Sequence, residues 1–277
     1  MDDLVLRGAD RLAACIRVSA LDPRRTALFC DLEGTLLAPK LPDEAAVSAR
    51  LHDLLGEIRD RVGLLTITSS GSLTATRALL RLDGVTYVTT YGLEEMSSDG
   101  TVTSDPLAER YVADVAAMRA LAETELADAH LGVIVEDKRV IVALHYETAR
   151  DPAITRHAIV TRVVESARAR GLAVIPGHRV VEIGPPLSHG TGTAIRRLLR
   201  ANDYRAAWVF GDSLADLAGF RALHDWAEID RRRGACAVAA VTAETPSPVR
   251  DDADALVATA AGVEDVLIRL RRAAAAR

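Results

Sequence analysis

The sequence is poor in aromatic residues: Phe, Trp and Tyr make up 4% of its 277 positions, although 49% are hydrophobic. Any core must therefore be built mostly of Ala, Val, Leu and Ile. Cysteine is scarce too. Cys15, Cys30 and Cys236 stand far apart in apolar settings, which offers neither a disulfide framework nor metal-ligand spacing and reads as buried thiols in a reducing cytoplasm. There is no basic excess, and a formal net charge of −5 gives no electrostatic case for nucleic acid or an anionic membrane surface. No apolar run is long enough to span a bilayer, and the acidic start Met1-Asp2-Asp3 is unlike a signal peptide. The expectation is a cytoplasmic protein with no nucleic-acid or membrane partner. Its length is large for one core and suits a large plus a small domain.

What the sequence does have is acid at the ends of apolar runs. Leu28 to Cys30 reads as a buried strand that ends in Asp31-Leu32-Glu33-Gly34-Thr35. A carboxylate there lies where open α/β sheets place their ligands. Two acids one residue apart could act as nucleophile and proton donor, or could belong to a strand running into a capped turn. Far along the chain Ala207 to Phe210 reads as a second buried strand, ending in Gly211-Asp212-Ser213-Leu214-Ala215-Asp216. Two such clusters imply one shared site at the carboxyl edge of a sheet, and a hard cation such as Mg²⁺ takes carboxylate ligands of this kind.

Strand and helix patterns alternate around these runs. Residues 4–20 and 43–59 read as amphipathic helices, the latter with Ala46, Leu51, Leu54, Leu55 and Ile58 on one face. Strands are expected over 62–68 and 85–89, with Ser69-Ser70-Gly71-Ser72 leading a helix to Leu80. This is the signature of βαβ units and a parallel sheet. From about residue 104 the pattern changes to a helix over 107–129, a hairpin of 131–135 and 140–146 around Glu136-Asp137-Lys138-Arg139, a helix over 151–170 and strands at 173–175 and 180–183. The parallel pattern resumes with a helix from Thr193 and strands at 235–241 and 255–257. The domains expected are a core of 1–103 and 186–277 with a small α/β insert over 104–185.

The motif Asp31-Leu32-Glu33-Gly34-Thr35 and its partner Gly211-Asp212-Ser213-Leu214-Ala215-Asp216 resemble the first and last motifs of the haloacid dehalogenase superfamily, Asp-x-Asp-Gly-Thr and Gly-Asp-Asp-x-x-Asp. Glu33 and Ser213 each replace an aspartate. Within the superfamily, Glu136-Asp137-Lys138 with His145-Tyr146, Val180-Val181-Glu182-Ile183 before Pro185, the stretch from Gly192 to Leu199, and Tyr87 to Glu94 are similar to trehalose-6-phosphate phosphatases, from about Arg25 to Leu267. The resemblance implies a Rossmann-like core with a parallel sheet and an inserted α/β cap of the C2 type.

It also implies roles. Asp31 would be the nucleophile and Glu33 the general acid/base. Asp31, Glu33 (through its carbonyl), Asp212 and Asp216 would serve Mg²⁺. Ser70 and Gly71 would hold phosphate, although Ser-Ser-Gly also reads as a helix cap. The family's phosphate-binding lysine is missing, since Thr191 stands in its place, with His189 the nearest cation. Asp216, which steadies that lysine in the family, would be left to hold a metal-bound water or His189. Glu136, Lys138 and Glu182 match positions that recognise sugar hydroxyls, although residues 136–139 also read as a solubilising turn. Tyr91 and Thr89 replace a family His and Gly near the substrate entrance. The function implied is Mg²⁺-dependent hydrolysis of trehalose 6-phosphate or a related phosphorylated disaccharide or pseudo-disaccharide. One alternative is an impaired homologue that binds sugar phosphate or a trehalose-phosphate-synthase-like glycosyltransferase. Another is phosphoryl transfer to a sugar acceptor, for which the insert looks wrong.

Overall fold

The computed structural model describes residues 4–38, 47–177, 179–186, 190–243 and 245–275. The chain divides into two compact units, Met1–Val102 with His189–Arg277, and Thr103–Ser188.

The larger unit starts with β1 (Val5–Arg7) and α1 (Ala9–Leu21), then alternates β2 (Thr26–Asp31), α2 (Ala49–Arg59), β3 (Leu64–Thr68), α3 (Leu73–Leu80) and β4 (Thr86–Thr89), before the short β5 (Glu94–Met96) and β6 (Val102–Ser104), the strand at which the chain passes from one unit to the other. Residues 5–7, expected in the first helix, are instead an edge strand antiparallel to residues 256–257. Gly8 makes the break: its φ is +82°, and a Cβ there would stand 2.3 Å from Asp254 O. In α2, Ser48 accepts from Leu51 N, and Leu51, Leu54, Leu55 and Ile58 are buried as the periodicity predicts; Ala46 lies outside the described residues.

The smaller unit holds α4 (Val112–Glu125), β7 (Ile134–Asp137), β8 (Val142–His145), α5 (Pro152–Ile159), α6 (Glu165–Ala169), β9 (Ala173–Pro176) and β10 (Val180–Gly184). Its sheet, ordered β7-β8-β10-β9, is antiparallel throughout. Val142, Leu144, Val181 and Ile183 pack on Met118, Ile159 and Val163 from the helices. Asp151 caps α5, with Pro152 in the first turn, and a π-helical segment Val160–Val164 joins α5 to α6. Two expectations shift. The helix over 107–129 is a 3₁₀ turn followed by α4 ending at Glu125. Glu136 and Asp137 belong to β7, paired with Ala143 and Val142, so the turn begins only at Lys138.

Back in the larger unit come α7 (Thr191–Arg200), β11 (Ala206–Gly211), α8 (Leu217–Glu228), β12 (Gly234–Val241), α9 (Ser247–Asp252), β13 (Ala255–Ala258) and α10 (Thr259–Ala275). The sheet order is β1-β13-β12-β11-β2-β3-β4-β5-β6, with β13 through β4 parallel. Alternation along β2 sends Leu28 and Cys30 into one core with α1, α2 and α10, and Ala27 and Phe29 into another with α7 and α8. A parallel sheet covered on both faces must be apolar without alternation, which is how β2 and β11 read. Trp208 stacks on Phe210 at 6.0 Å between centroids, and its indole N–H donates to Ser19 Oγ at 3.0 Å, so a buried donor is satisfied. The expected α/β core with a parallel sheet is borne out. Among the described residues, no helix is long and apolar enough to cross a membrane.

Candidate active site

Strands β2 and β11 are direct neighbours, with Phe210 opposite Cys30. Their carboxyl ends therefore deliver Asp31 and Asp212 side by side. Asp216 follows from the 3₁₀ turn Leu214–Asp216, and carboxylate oxygens of Asp31, Asp212 and Asp216 all lie within 4.8 Å of one another. Gly34 permits this approach: its φ is +85°, and a Cβ would fall 2.2 Å from Asp212 Oδ2. Thr35 Oγ1 donates to Asp212 Oδ1 at 3.3 Å.

Like charges this close are held at a cost. Burial pushes the Asp31 carboxyl well above the usual carboxylate range, the charges of Asp216, Glu33 and Asp212 push it further, and Thr35 opposes them. Asp212 is pushed up to about 6, by burial first and then by Asp216. Burial also raises Asp216, against the bonds it accepts. Asp31 Oδ2 is buried without a hydrogen-bond partner among the described residues. An all-carboxylate donor set with an orphaned buried oxygen fits a hard divalent cation.

Asp216 is not the spare group that the sequence implied. Its Oδ2 accepts from Asp212 N at 3.1 Å, Ser213 N at 3.0 Å and Ser213 Oγ at 2.9 Å, so Ser213 closes a capping box with it. Glu33 is expected to serve a cation through its backbone carbonyl, and its side chain is engaged elsewhere. Its carboxylate is not in the acid cluster but accepts from Ser69 Oγ at 2.7 Å.

Ser70 lines a cavity of about 190 Å³ together with Asp31, Glu33, Ser69, Tyr91, Thr191 and Asp212. The helix cap is Ser72, which accepts from Ala75 N at 3.2 Å, so Ser70 does not cap α3. Gly71 N donates to Ser69 Oγ at 2.9 Å, so that amide is satisfied within the β3–α3 turn. Thr191 is the first residue of α7, and His189 lies outside the described residues. Among the described residues no Lys or Arg lines the cavity. Thr90 and Tyr91 hold left-handed φ values of 52° and 57°, at a strain of about 1–3 kcal/mol each. Thr90 N donates to Gly71 O at 3.0 Å, tying the Tyr91 turn to the β3–α3 turn. Sequence reasoning missed Ser69 and Thr35. Thr35 lay within the first motif, whereas Ser69 shows only through strand register.

In the smaller unit, Glu136, Lys138 and Glu182 also come together. Lys138 Nζ is 2.7 Å from Glu182 Oε1 and 3.7 Å from Glu136 Oε2, and His145 Nε2 is 2.8 Å from Glu136 Oε2. The Lys138 and Glu182 side chains are each 5% exposed, which overturns the solubilising turn. The hydrogen bond from His145, and after it the charge of Lys138, holds Glu136 below its ordinary range.

Comparison with known proteins gives these two clusters a context. A family model for trehalose-phosphatase matches residues 29–252. The trehalose-phosphate phosphatase of Mycobacterium ulcerans is 30% identical over 246 residues, 80% of this chain and 60% of that protein. An uncharacterised glycosyl hydrolase of Mycobacterium tuberculosis is 29% identical over 214 residues, 73% of this chain but 16% of that protein. The chain thus spans less than two thirds of the length of either relative. The crystal structure of a trehalose-6-phosphate phosphatase related protein superposes with a TM-score of 0.73 at 21% identity, covering 89% of this chain and 97% of that one. The C-terminal domain of the Candida albicans trehalose synthase regulatory protein gives 0.68 at 12%, covering 97% and 99%. At these identities the structures speak to fold alone. Since the family model covers most of the sequence, and both strand-end acid clusters lie within its span, the chain belongs to the trehalose-phosphatase family and has the haloacid dehalogenase fold.

Proposed function

We propose that this protein is a Mg²⁺-dependent phosphatase that hydrolyses trehalose 6-phosphate, or a related phosphorylated disaccharide, through an aspartyl-phosphate on Asp31. The observation that carries the reading is the cluster of Asp31, Asp212 and Asp216 within 4.8 Å at the carboxyl edge of the sheet, with Asp31 Oδ2 buried and without a hydrogen-bond partner among the described residues. Those three carboxylates, with the Glu33 carbonyl, would hold the cation, and when bound it supplies positive charge that offsets the phosphate and lets an anionic nucleophile approach.

The steps belong to the chain's own groups. Asp31 attacks phosphorus, and the bond from phosphorus to the sugar oxygen breaks. That oxygen leaves with the electron pair and takes a proton from Glu33. Glu33, now a carboxylate, takes a proton from a water whose oxygen attacks phosphorus. The bond to Asp31 breaks, and inorganic phosphate leaves. The Ser70 hydroxyl and the first amides of α7 hold phosphoryl oxygens, the helix N-terminus standing in for the missing lysine. Glu136, Lys138 and Glu182 take sugar hydroxyls, since carboxylates and an ammonium held together suit a polyol. The buried thiols Cys15, Cys30 and Cys236 agree with work in the cytoplasm.

One observation favours a second reading. A cavity lined by four acids and, among the described residues, no cation forgoes a fixed positive charge of a kind worth several kcal/mol to such reactions. An impaired homologue that senses sugar phosphate, or docks on a trehalose-phosphate-synthase-like partner, would show that pattern. Phosphate release from trehalose 6-phosphate and a panel of sugar phosphates, with Mg²⁺ and with EDTA, separates the two. Metal-dependent release lost in Asp31→Asn supports hydrolysis. Binding without release at high enzyme concentration favours the second reading.

A further inference from the structure

Glu33 is one methylene longer than the aspartate of the related motif, and the structure shows what the longer arm reaches. Strands β2 and β3 run parallel with Asp31 opposite Thr68, and Leu32 N donates to Thr68 O at 3.0 Å. Ser69, the residue after β3, therefore comes beside Glu33, and its hydroxyl donates to Glu33 Oε1 at 2.7 Å.

That hydroxyl has no rotational choice. Ser69 is 4% exposed, and its Oγ accepts from Gly71 N at 2.9 Å and from Thr76 Oγ1 at 3.1 Å. A serine hydroxyl has one proton and two lone pairs. With the lone pairs filled from the β3–α3 turn and from α3, the proton points only at Glu33. Thr76 is 2% exposed and sits in the first turns of α3, so the anchor is part of the scaffold. An aspartate at 33 would end roughly 1.5 Å short of this partner.

We propose that Ser69 is the positioning residue for Glu33: by anchoring Oε1 it fixes where the longer carboxyl sits against the leaving oxygen, and this rests on the phosphatase reading above. Ser69 touches neither substrate nor phosphorus in this role. Misplacing a reacting group by about 1 Å costs on the order of 100-fold.

The leaving group provides the test. A sugar alkoxide must be protonated as it departs, whereas p-nitrophenolate leaves unaided, and kcat/KM reports transition-state stabilisation relative to free enzyme and substrate. For Ser69→Ala, kcat/KM on trehalose 6-phosphate should fall about 10- to 100-fold, while on p-nitrophenyl phosphate it stays within about 2-fold. Thr76→Val, which releases the serine hydroxyl to turn, should give the same selective pattern at smaller size and serves if Ser69→Ala fails to fold. In Glu33→Asp, Ser69→Ala should add no further loss, a coupling that a merely structural serine would not show. Equal losses on both substrates, or an undiminished loss in the Glu33→Asp background, would overturn the positioning role while leaving the phosphatase standing. A wild-type protein that releases phosphate from neither substrate with Mg²⁺ would overturn both.

Discussion

The acids at the end of the parallel sheet and those on the antiparallel sheet of the smaller unit keep opposite electrostatic company. Asp31, Asp212 and Asp216 face one another; burial raises all three above the ordinary range, and neighbouring carboxylate charges raise Asp31 and Asp212 further. Glu136 and Glu182 instead share Lys138, and Glu136 has His145 as well, so Glu136 is lowered. The first cluster has no Lys or Arg lining its cavity among the described residues, and under the proposed function a cation would complete it. The second is neutralised from within, by Lys138 and His145. The same residue types thus do different work according to whether the fold supplies their counter-charge.

The comparison is broken most forcefully at Lys138. Its pair with Glu182 is buried on both sides, and removing one partner strands the other charge out of water. Lys138→Met should cost about 3–5 kcal/mol, read as a lower urea midpoint for the full chain. Lys138→Met with Glu182→Met together should recover most of it, because both charges are gone. A loss below about 1 kcal/mol for the single variant would mean that the pair is not buried as described.

The strand-end acids were legible because a strand buried on both faces leaves an uninterrupted apolar run, and a carboxylate directly after it stands out. Nothing comparable marks residues 5–7, whose strand character comes from pairing with Val257 and Leu256 at the far end of the chain. Glu136 and Asp137 looked like a turn because charge density usually means solvent. They lie in a strand because the ammonium that tolerates Glu136 arrives from Lys138, tied in turn to Glu182 on another strand. Asp216 looked spare because its capping box needs the three-dimensional turn around Ser213. Ser69 was hidden for the same reason: its bond to Glu33 follows from the register of β2 against β3, and a single sequence does not print register.

Asp212 sharpens the comparison from the other side. Its folded pKa of about 6 lies above the roughly 3.9 of an unfolded aspartate. The folded state binds that proton more tightly, so its contribution to stability falls as pH climbs from about 4 to about 6 and stays lost above. Asp212→Asn keeps an acceptor for Thr35 but removes the charge. Without metal at pH 7 it should be more stable than wild type by on the order of 1–2 kcal/mol, after allowance for solvent on the open side of the carboxyl. Added Mg²⁺ should reverse the order, since wild type gains about 2.7 kcal/mol at a hundredfold excess over Kd and the variant gains far less. Denaturant titrations in EDTA and in Mg²⁺ read both signs. A variant less stable than wild type in EDTA would mean that the three acids do not repel.

The smallest effect should appear at Glu136, where solvent reaches 33% of the side chain. Its folded pKa is lowered, chiefly by the His145 bond, so the sign is opposite to that of Asp212. The stability it contributes is present above the unfolded value of about 4.3 and is lost as pH falls through the folded one. Glu136→Gln should therefore be less stable than wild type at neutral pH, with the gap closing in acid. Asp212→Asn in EDTA should be more stable at neutral pH, its gap closing in acid as well. The two difference curves against pH thus approach zero from opposite sides. If both variants lay on the same side, the smaller unit's cluster would be no better compensated than the acids at the sheet edge, and the contrast between the two would fall.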